Sequence, residues 1–212
     1  MISVIFDMDG TLLDTQKGWI PAWSFAGEKQ GYENLGRLIP SVCGMNENGW
    51  KKPLLNNAPD LDIDIFIRDA NEYYAKNCEI TGKEGMHELL TFLKANGVKM
   101  AVASGTRTSV AQRNIKIVGA SEYIDIIIGG EMVKNGKPAP DIFLLAAEKL
   151  GAEPQDCIVF EDSENGLRAA LAAEMRAISV PDVDIISEEV NKQLFARVNK
   201  LSDAISVLEK LL

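Results

Sequence analysis

One histidine and three cysteines make up all the imidazole and thiol ligands of this 212-residue chain. Cys43, Cys78 and Cys157 lie far apart, are odd in number and form no C-x-x-C pair, so neither a disulfide framework nor a zinc site is expected. Such usage suits a reducing cytoplasm. Basic residues are scarce as well: 22 Lys and Arg stand against 31 Asp and Glu, for a net charge of −9. That balance excludes nucleic acid as an expected partner, because polyanion binding draws on clustered cations. A negatively charged substrate would need local positive charge, from a metal ion or a few placed lysines. No apolar run approaches the ~20 residues needed to cross a bilayer, so no membrane partner is expected. The opening Met1-Ile2-Ser3-Val4-Ile5-Phe6-Asp7 has no basic region ahead of its apolar stretch and an acid directly after it, which is not the pattern of a signal peptide. Internal repeats and low-complexity segments are missing too.

The bulk that remains is ordinary for a globular protein, with 46% hydrophobic and 25% charged residues. Short apolar runs rich in Ile and Val occur at Ile2–Phe6, Met100–Ala103, Ile124–Ile128, Cys157–Phe160 and Ala177–Val180. They mostly lack alternation, as expected of strands covered on both faces in a parallel sheet. Helical stripes lie between them. One is Met86, Leu89, Leu90 and Leu93, and another is Phe143, Ala146, Ala147 and Leu150; Leu167, Ala170 and Leu171 begin a third, and Ile205, Leu208 and Leu212 close the chain. Strand and helix in alternation predict an α/β fold, a doubly wound parallel sheet with a Rossmann-like core. The stretch 15–80 breaks the pattern. It carries helical stripes such as Phe66, Ala70 and Tyr73, lacks clear strands, and holds all three tryptophans, Trp19, Trp23 and Trp50. It is read as a helical cap inserted into a core made of 1–14 and 81–212.

In open α/β sheets, ligands bind beyond the carboxyl ends of strands where strand order reverses. The first strand is followed by Asp7-Met8-Asp9-Gly10-Thr11, the second by Ser104-Gly105-Thr106, and the fourth by Glu161-Asp162-Ser163; Lys137 lies in the loop Asn135-Gly136-Lys137-Pro138. Acids, a hydroxyl, backbone N–H groups and one ammonium on a single rim suit phosphoryl transfer, where charge on the equatorial oxygens must be held and the nucleophile kept in line. Asp7 and Asp9 are two apart, so extended backbone points both carboxylates to one side. One can attack phosphorus while the other handles the leaving-group proton. Hard oxygen ligands and a phosphate select Mg²⁺, with Asp162 and its neighbour Glu161 able to complete the shell. Ser104 and the N–H of Gly105 or Thr106 can take phosphate oxygens, and Lys137 supplies fixed positive charge. Taken singly, each has a bland reading: turn or cap for the acids, N-cap for Ser104, solvated loop for Lys137.

Together the motifs Asp7-x-Asp9-Gly10-Thr11-Leu12, Ala103-Ser104, Gly136-Lys137-Pro138-x-Pro140-Asp141 and Phe160-Glu161-Asp162-Ser163-x-x-Gly166 resemble, in order, the four motifs of the haloacid-dehalogenase superfamily. The insert looks like the cap of the subgroup that includes β-phosphoglucomutase and phosphoglycolate phosphatase. The resemblance implies a phosphoric monoester hydrolase working on a small phosphorylated substrate through an aspartyl-phosphate. Asp7 would be nucleophile and metal ligand, and Asp9 general acid/base with its carbonyl also on the metal. Ser104 and Lys137 would bind phosphate, Asp162 would bind metal, and Glu161 would sit in the first or second shell. A phosphomutase remains the enzyme alternative and a phospho-accepting signalling module the non-enzymatic one. Trp19 and Glu47 stand where mutases of the subgroup carry a histidine and an arginine, which favours hydrolysis. Ala173-Glu174-Met175 replaces the usual Ala-Gly-Met; if the left-handed geometry is kept, this costs roughly 1 kcal/mol.

Overall fold

A computed structural model describes residues 2–212. Six strands form one sheet in the order β3-β2-β1-β4-β5-β6, and all its pairings are parallel. They are β1 (Ser3–Phe6), β2 (Lys99–Ser104), β3 (Ile126–Gly129), β4 (Cys157–Glu161), β5 (Arg176–Ser179) and β6 (Ala196–Arg197). Five match the apolar runs to within two residues at either end. The two-residue β6 has no run of its own and is held by its pairing with β5. In chain order the helices are α1 (Gln16–Glu28), α2 (Ile39–Val42), α3 (Glu47–Asn57), α4 (Ile63–Asn77), α5 (Met86–Ala95), α6 (Thr108–Ile117), α7 (Asp141–Leu150), α8 (Glu164–Ala172), α9 (Glu188–Asn191) and α10 (Ile205–Leu208).

Two apolar clusters cover the two faces of the sheet. Alternate residues of β1 go to opposite sides: Val4 and Phe6 join α5, while Ile5 joins α7 and α8. Burial on both faces is why the strands read as apolar runs rather than alternating ones. The stripes of α5 and α7 are buried throughout. Two expectations shift. The stripe of α4 runs through Phe66, Ala70 and Tyr74, with Tyr73 only partly covered, and α10 ends at Leu208, leaving Leu212 exposed.

Helices α1 to α4 pack around a third cluster that includes Trp23, Leu54 and Phe66. The chain leaves and re-enters the sheet region side by side. Leu13 bridges Gly82 in antiparallel fashion, the Asp14 N–H donates to the Thr81 carbonyl at 3.0 Å, and the Lys83 N–H donates to the Leu12 carbonyl at 2.8 Å. At the end of α8, Glu174 keeps the left-handed conformation with φ of 59°, so the geometry that glycine normally supplies is present without it.

The site is positioned by where strand order reverses. From β1 the chain moves outward to β2 and β3, then returns to pair β4 on the other side of β1. Phe6 and Phe160 are Cα partners, their rings are stacked with centroids 5.0 Å apart, and both are wholly buried. Each such side chain contributes roughly 1.5–3 kcal/mol by burial. That pairing fixes the register of the next residues, so Asp7 and Glu161 emerge side by side.

Candidate active site

Asp7 follows β1 and its N–H donates to the Phe160 carbonyl at 2.9 Å, which holds its backbone against β4. The carboxylates of Asp7, Glu161 and Asp162 converge, each offering an oxygen within 4.8 Å of the others, and all three residues are buried. Lys137 reaches them from the loop before α7. Its ammonium donates to Asp7 Oδ1, to Glu161 Oε2 at 2.7 Å and to the Ala103 carbonyl at 3.3 Å, and it lies 4.8 Å from the Phe143 ring centroid. Two of the three buried acids therefore share one buried cation, and Asp162 has none.

The oxygens of this cluster are not equivalent. Glu161 Oε1 accepts from the N–H groups of Asp162 and Ser163 and from the Ser163 hydroxyl, while Oε2 accepts from Lys137. Asp162 Oδ1 accepts the Thr11 hydroxyl at 2.9 Å. Asp7 Oδ2 and Asp162 Oδ2 are buried and have no hydrogen-bond partner. Buried carboxylate oxygens without partners cost free energy unless a cation meets them. Burial, reinforced by the charge of Glu161, pushes the Asp7 carboxyl well above the usual carboxylate range, although Lys137 pulls it back. Burial and the charges of Glu161 and Asp7 do the same to Asp162. Burial works against the Lys137 ammonium too, but the two carboxylates beside it outweigh that and hold its pKa above the ordinary value. The donor set is all carboxylate oxygen, which fits a hard divalent cation such as Mg²⁺.

Gly10 allows the turn after the acids. Its φ is +95°, and a Cβ there would stand 2.3 Å from Asp162 Oδ2. Asp9 is placed differently from Asp7. Its Oδ1 accepts the Thr15 hydroxyl at 2.8 Å, its Oδ2 accepts the hydroxyls of Thr106 at 2.8 Å and Ser104 at 3.3 Å, and its carbonyl accepts Gln16 Nε2 at 2.9 Å. It thus sits between the β2 loop and the first turn of α1. Ser104 ends β2, and its hydroxyl also accepts the Thr106 N–H at 3.1 Å. At Gly105 a Cβ would meet the Met45 carbonyl at 2.5 Å, so only glycine lets the β2 loop approach the segment between α2 and α3.

The side chains that hold these groups have no motif of their own, and the Thr106 N–H expected at phosphate donates to Ser104 Oγ. Thr11, Thr15, Gln16 and Thr106 act on Asp162 and Asp9 through single hydrogen bonds, and nothing in the pattern of a lone Thr or Gln announces that. Gly44 was equally silent. With φ of +75°, it lies against Ser163 and Lys137, bringing the segment 43–46 down over the acid cluster. Asn165 Nδ2 donates to the Cys43 carbonyl at 3.2 Å from the other side. Above Asp7, Asp9 and Ser104 a cavity of about 1070 Å³ opens, and Trp19, Trp50 and Tyr74 line its far wall. Asp14 lies at the crossing between sheet and helices, where it pairs with Lys17.

Acids at a switch point with a lysine beside them suit phosphoryl transfer, and comparison with known proteins agrees. A family model described as haloacid dehalogenase-like hydrolase matches residues 3–174. The chain belongs to that family, as a phosphoric monoester hydrolase. It is 33% identical over 182 residues to the phosphorylated carbohydrates phosphatase of Thermotoga maritima, which covers 84% of each chain. It is 33% identical, again over 182 residues, to fructose-1-phosphate phosphatase YqaB of Escherichia coli, with 84% of this chain and 95% of that one covered. Among solved structures, a putative β-phosphoglucomutase from Thermotoga maritima superposes with a TM-score of 0.77 at 29% identity, with both chains covered in full. No helix is long and apolar enough to cross a membrane among the described residues.

Proposed function

We propose that the protein is a Mg²⁺-dependent phosphatase that hydrolyses a small phosphomonoester, of the sugar-phosphate kind, through a phosphorylated Asp7. The observation that carries this reading is the state of the Asp7 carboxylate. One oxygen is held by Lys137, and the other is buried without a partner beside the equally unpartnered Asp162 Oδ2. Asp7 and Asp162 would hold the ion, with the second lone pair of the Asp9 carbonyl available to it. The ion would neutralise charge between the acids and the phosphate and polarise a phosphoryl oxygen. Glu161, with both oxygens taken by donors, acts through Lys137 rather than as a ligand.

In this reading the Asp7 carboxylate attacks phosphorus, the bond to the alcohol oxygen breaks, and Asp9 gives that oxygen its proton. A water then attacks phosphorus, Asp9 takes the water's proton, and phosphate leaves while the Asp7 carboxylate is restored. Ser104 and the Gly105 N–H hold phosphoryl oxygens, and Lys137 stabilises the charge that gathers on them. Asp9 is tied to Thr15 and Gln16 on one side and Thr106 on the other, so its reach depends on where α1 sits. Residues 15–80 serve as a cap over the core of 1–14 and 81–212, excluding water when closed and releasing product when open. The reaction then runs on a soluble metabolite in the cytoplasm.

A phosphomutase would have to keep a second phosphate on the cap side while the first transfers. Glu47, on that side, is instead engaged by Lys51 at 2.6 Å and Arg107 at 2.8 Å. Hydrolysis is the simpler fit. The test incubates purified protein with Mg²⁺ and a panel of phosphomonoesters, following free phosphate and isomerised ester separately. Free phosphate, together with a hydroxylamine-labile phosphoenzyme missing in Asp7→Asn, is expected. Undiminished turnover by Asp7→Asn would refute it, and isomerisation with little free phosphate would favour the mutase.

A further inference from the structure

The cavity above the acids is larger than a phosphorylated triose or hexose needs. At about 1070 Å³ it reaches the upper end of the ~300–1,000 Å³ typical of ligand pockets. Its far wall is aromatic. Trp19 is stacked on Tyr74 with ring centroids 4.3 Å apart and planes at 26°, and Trp50 is set edge-on to Trp23 at 5.5 Å. Trp19 and Trp50 are both only partly covered, so some of each ring still faces outward. Contacts behind them fix these rings, so that little rotamer freedom is lost when a ligand stacks on them.

The same wall lacks positive charge. Among the described residues, none of the cavity-lining side chains between positions 16 and 80 is Lys or Arg, whereas Glu47 and Asp64 are both there. On that wall a second phosphate or a carboxylate would find Asp64 and an already paired Glu47; the two arginines of the lining, Arg107 and Arg113, come from the β2 loop and α6 instead, and Arg107 is the one spent on Glu47. A polyol would find several polar groups already engaged: Gln16 on the Asp9 carbonyl, the Tyr74 hydroxyl on the Thr15 carbonyl, and Glu47 on its two cations.

We propose that the substrate is a phosphomonoester whose remote end carries an uncharged aromatic or heteroaromatic ring, as in a nucleoside monophosphate, with that ring seated on Trp19 and Trp50. This rests on the phosphatase reading above and narrows its substrate. The covalent steps are those already written, since the ring is remote from the scissile bond.

The decisive comparison is uridine 5′-monophosphate against ribose 5-phosphate, two esters of the same kind of primary alcohol that differ at the remote end by the base. Both would be assayed with Mg²⁺, next to uridine 3′,5′-bisphosphate and phosphoglycolate. The ratio of kcat/KM for uridine 5′-monophosphate to that for ribose 5-phosphate is expected to be roughly 5 to 150, the factor that one base–aromatic stack supplies. It should collapse towards one in Trp19→Leu and Trp50→Leu and be retained in Trp19→Phe, with the Mg²⁺-dependent rise in Tm of each variant reporting that it is folded. Hydrolysis with ribose 5-phosphate, the bisphosphate or phosphoglycolate preferred would overturn this proposal and leave the phosphatase reading intact. So would a ratio that both leucine variants preserve. No hydrolysis of any ester would overturn the phosphatase reading and this proposal with it.

Discussion

Asp162→Asn removes one negative charge from the buried cluster but keeps an oxygen that can accept the Thr11 hydroxyl. In the wild type, Asp7, Glu161 and Asp162 present oxygens within 4.8 Å of one another, and Lys137 bonds only the first two. Like charges at that separation repel by at least about 3.5 kcal/mol at an effective dielectric near 20. Without a cation the substitution therefore relieves repulsion, and in chelator Asp162→Asn should melt no lower than wild type. With Mg²⁺ the order reverses. At about 100 times its Kd, an ion that binds only the folded state stabilises by about 2.7 kcal/mol. For a chain of this size that raises Tm by about 5–11 °C, taking ~2–4 °C per kcal/mol. Asp162→Asn has lost one of the two unpartnered oxygens and should gain less than about 2 °C. Scanning calorimetry on both proteins, in EDTA and in MgCl₂, reads all four values. Equal Mg²⁺ increments in the two proteins would refute the assignment of Asp162 to the metal. A large loss of stability in EDTA would refute the claim that its charge is uncompensated.

The pH dependence has a definite sign. The pKa values of Asp7 and Asp162 are raised by burial and neighbouring acids, so in chelator the stability they contribute is complete below the unfolded carboxyl value and is lost as pH rises through the folded one. Tm in EDTA should fall across that interval while the Mg²⁺ increment grows; a Tm in EDTA that climbs instead would contradict it. Asp9→Asn should slow turnover by ~10² to 10⁴-fold, the usual range for general acid–base help, and should slow it least for esters with a good leaving group. Equal slowing for good and poor leaving groups in rapid-quench kinetics would remove Asp9 from the proton transfer. Glu174→Gly should stabilise the fold by about 1 kcal/mol, because glycine adopts the left-handed geometry that Glu174 now occupies at a cost. A lower urea midpoint for this variant would show that the Glu174 side chain compensates.

Much of the framework was legible in the chain. Both-face burial leaves strands as unbroken Ile- and Val-rich runs, which is why β1 to β5 could be read, and the stripes of α5 and α7 follow from helical periodicity alone. The two-residue β6 was invisible because its place comes from pairing with β5 and not from composition. In α4 the covered face turned one position, from Tyr73 to Tyr74: Tyr74 stacks on Trp19 within the third cluster, whereas Tyr73 packs beside the exposed Phe25. The candidate site divides in the same way. The residues proposed to carry the chemistry, Asp7, Asp9, Ser104, Lys137 and Asp162, follow strands or sit in short motifs. Reaction chemistry restricts such positions to a few residue types, and local spacing records that restriction.

What the tertiary structure decided is how each of those groups is held. The pairing of β1 with β4 sets Asp7 beside Glu161, and Lys137 arrives from a loop far away in the chain to donate to one oxygen of each, while the Asp162 and Ser163 groups take the other Glu161 oxygen. Only then does it emerge that Asp7 Oδ2 and Asp162 Oδ2 are left without donors while both Glu161 oxygens have them. The aromatic, cation-free wall opposite them depends likewise on how α1, α3 and α4 pack around Trp23 and Phe66. Hydrogen-bond saturation and the lining of a cavity are sums over residues distant in the chain, and no local pattern can carry such a sum.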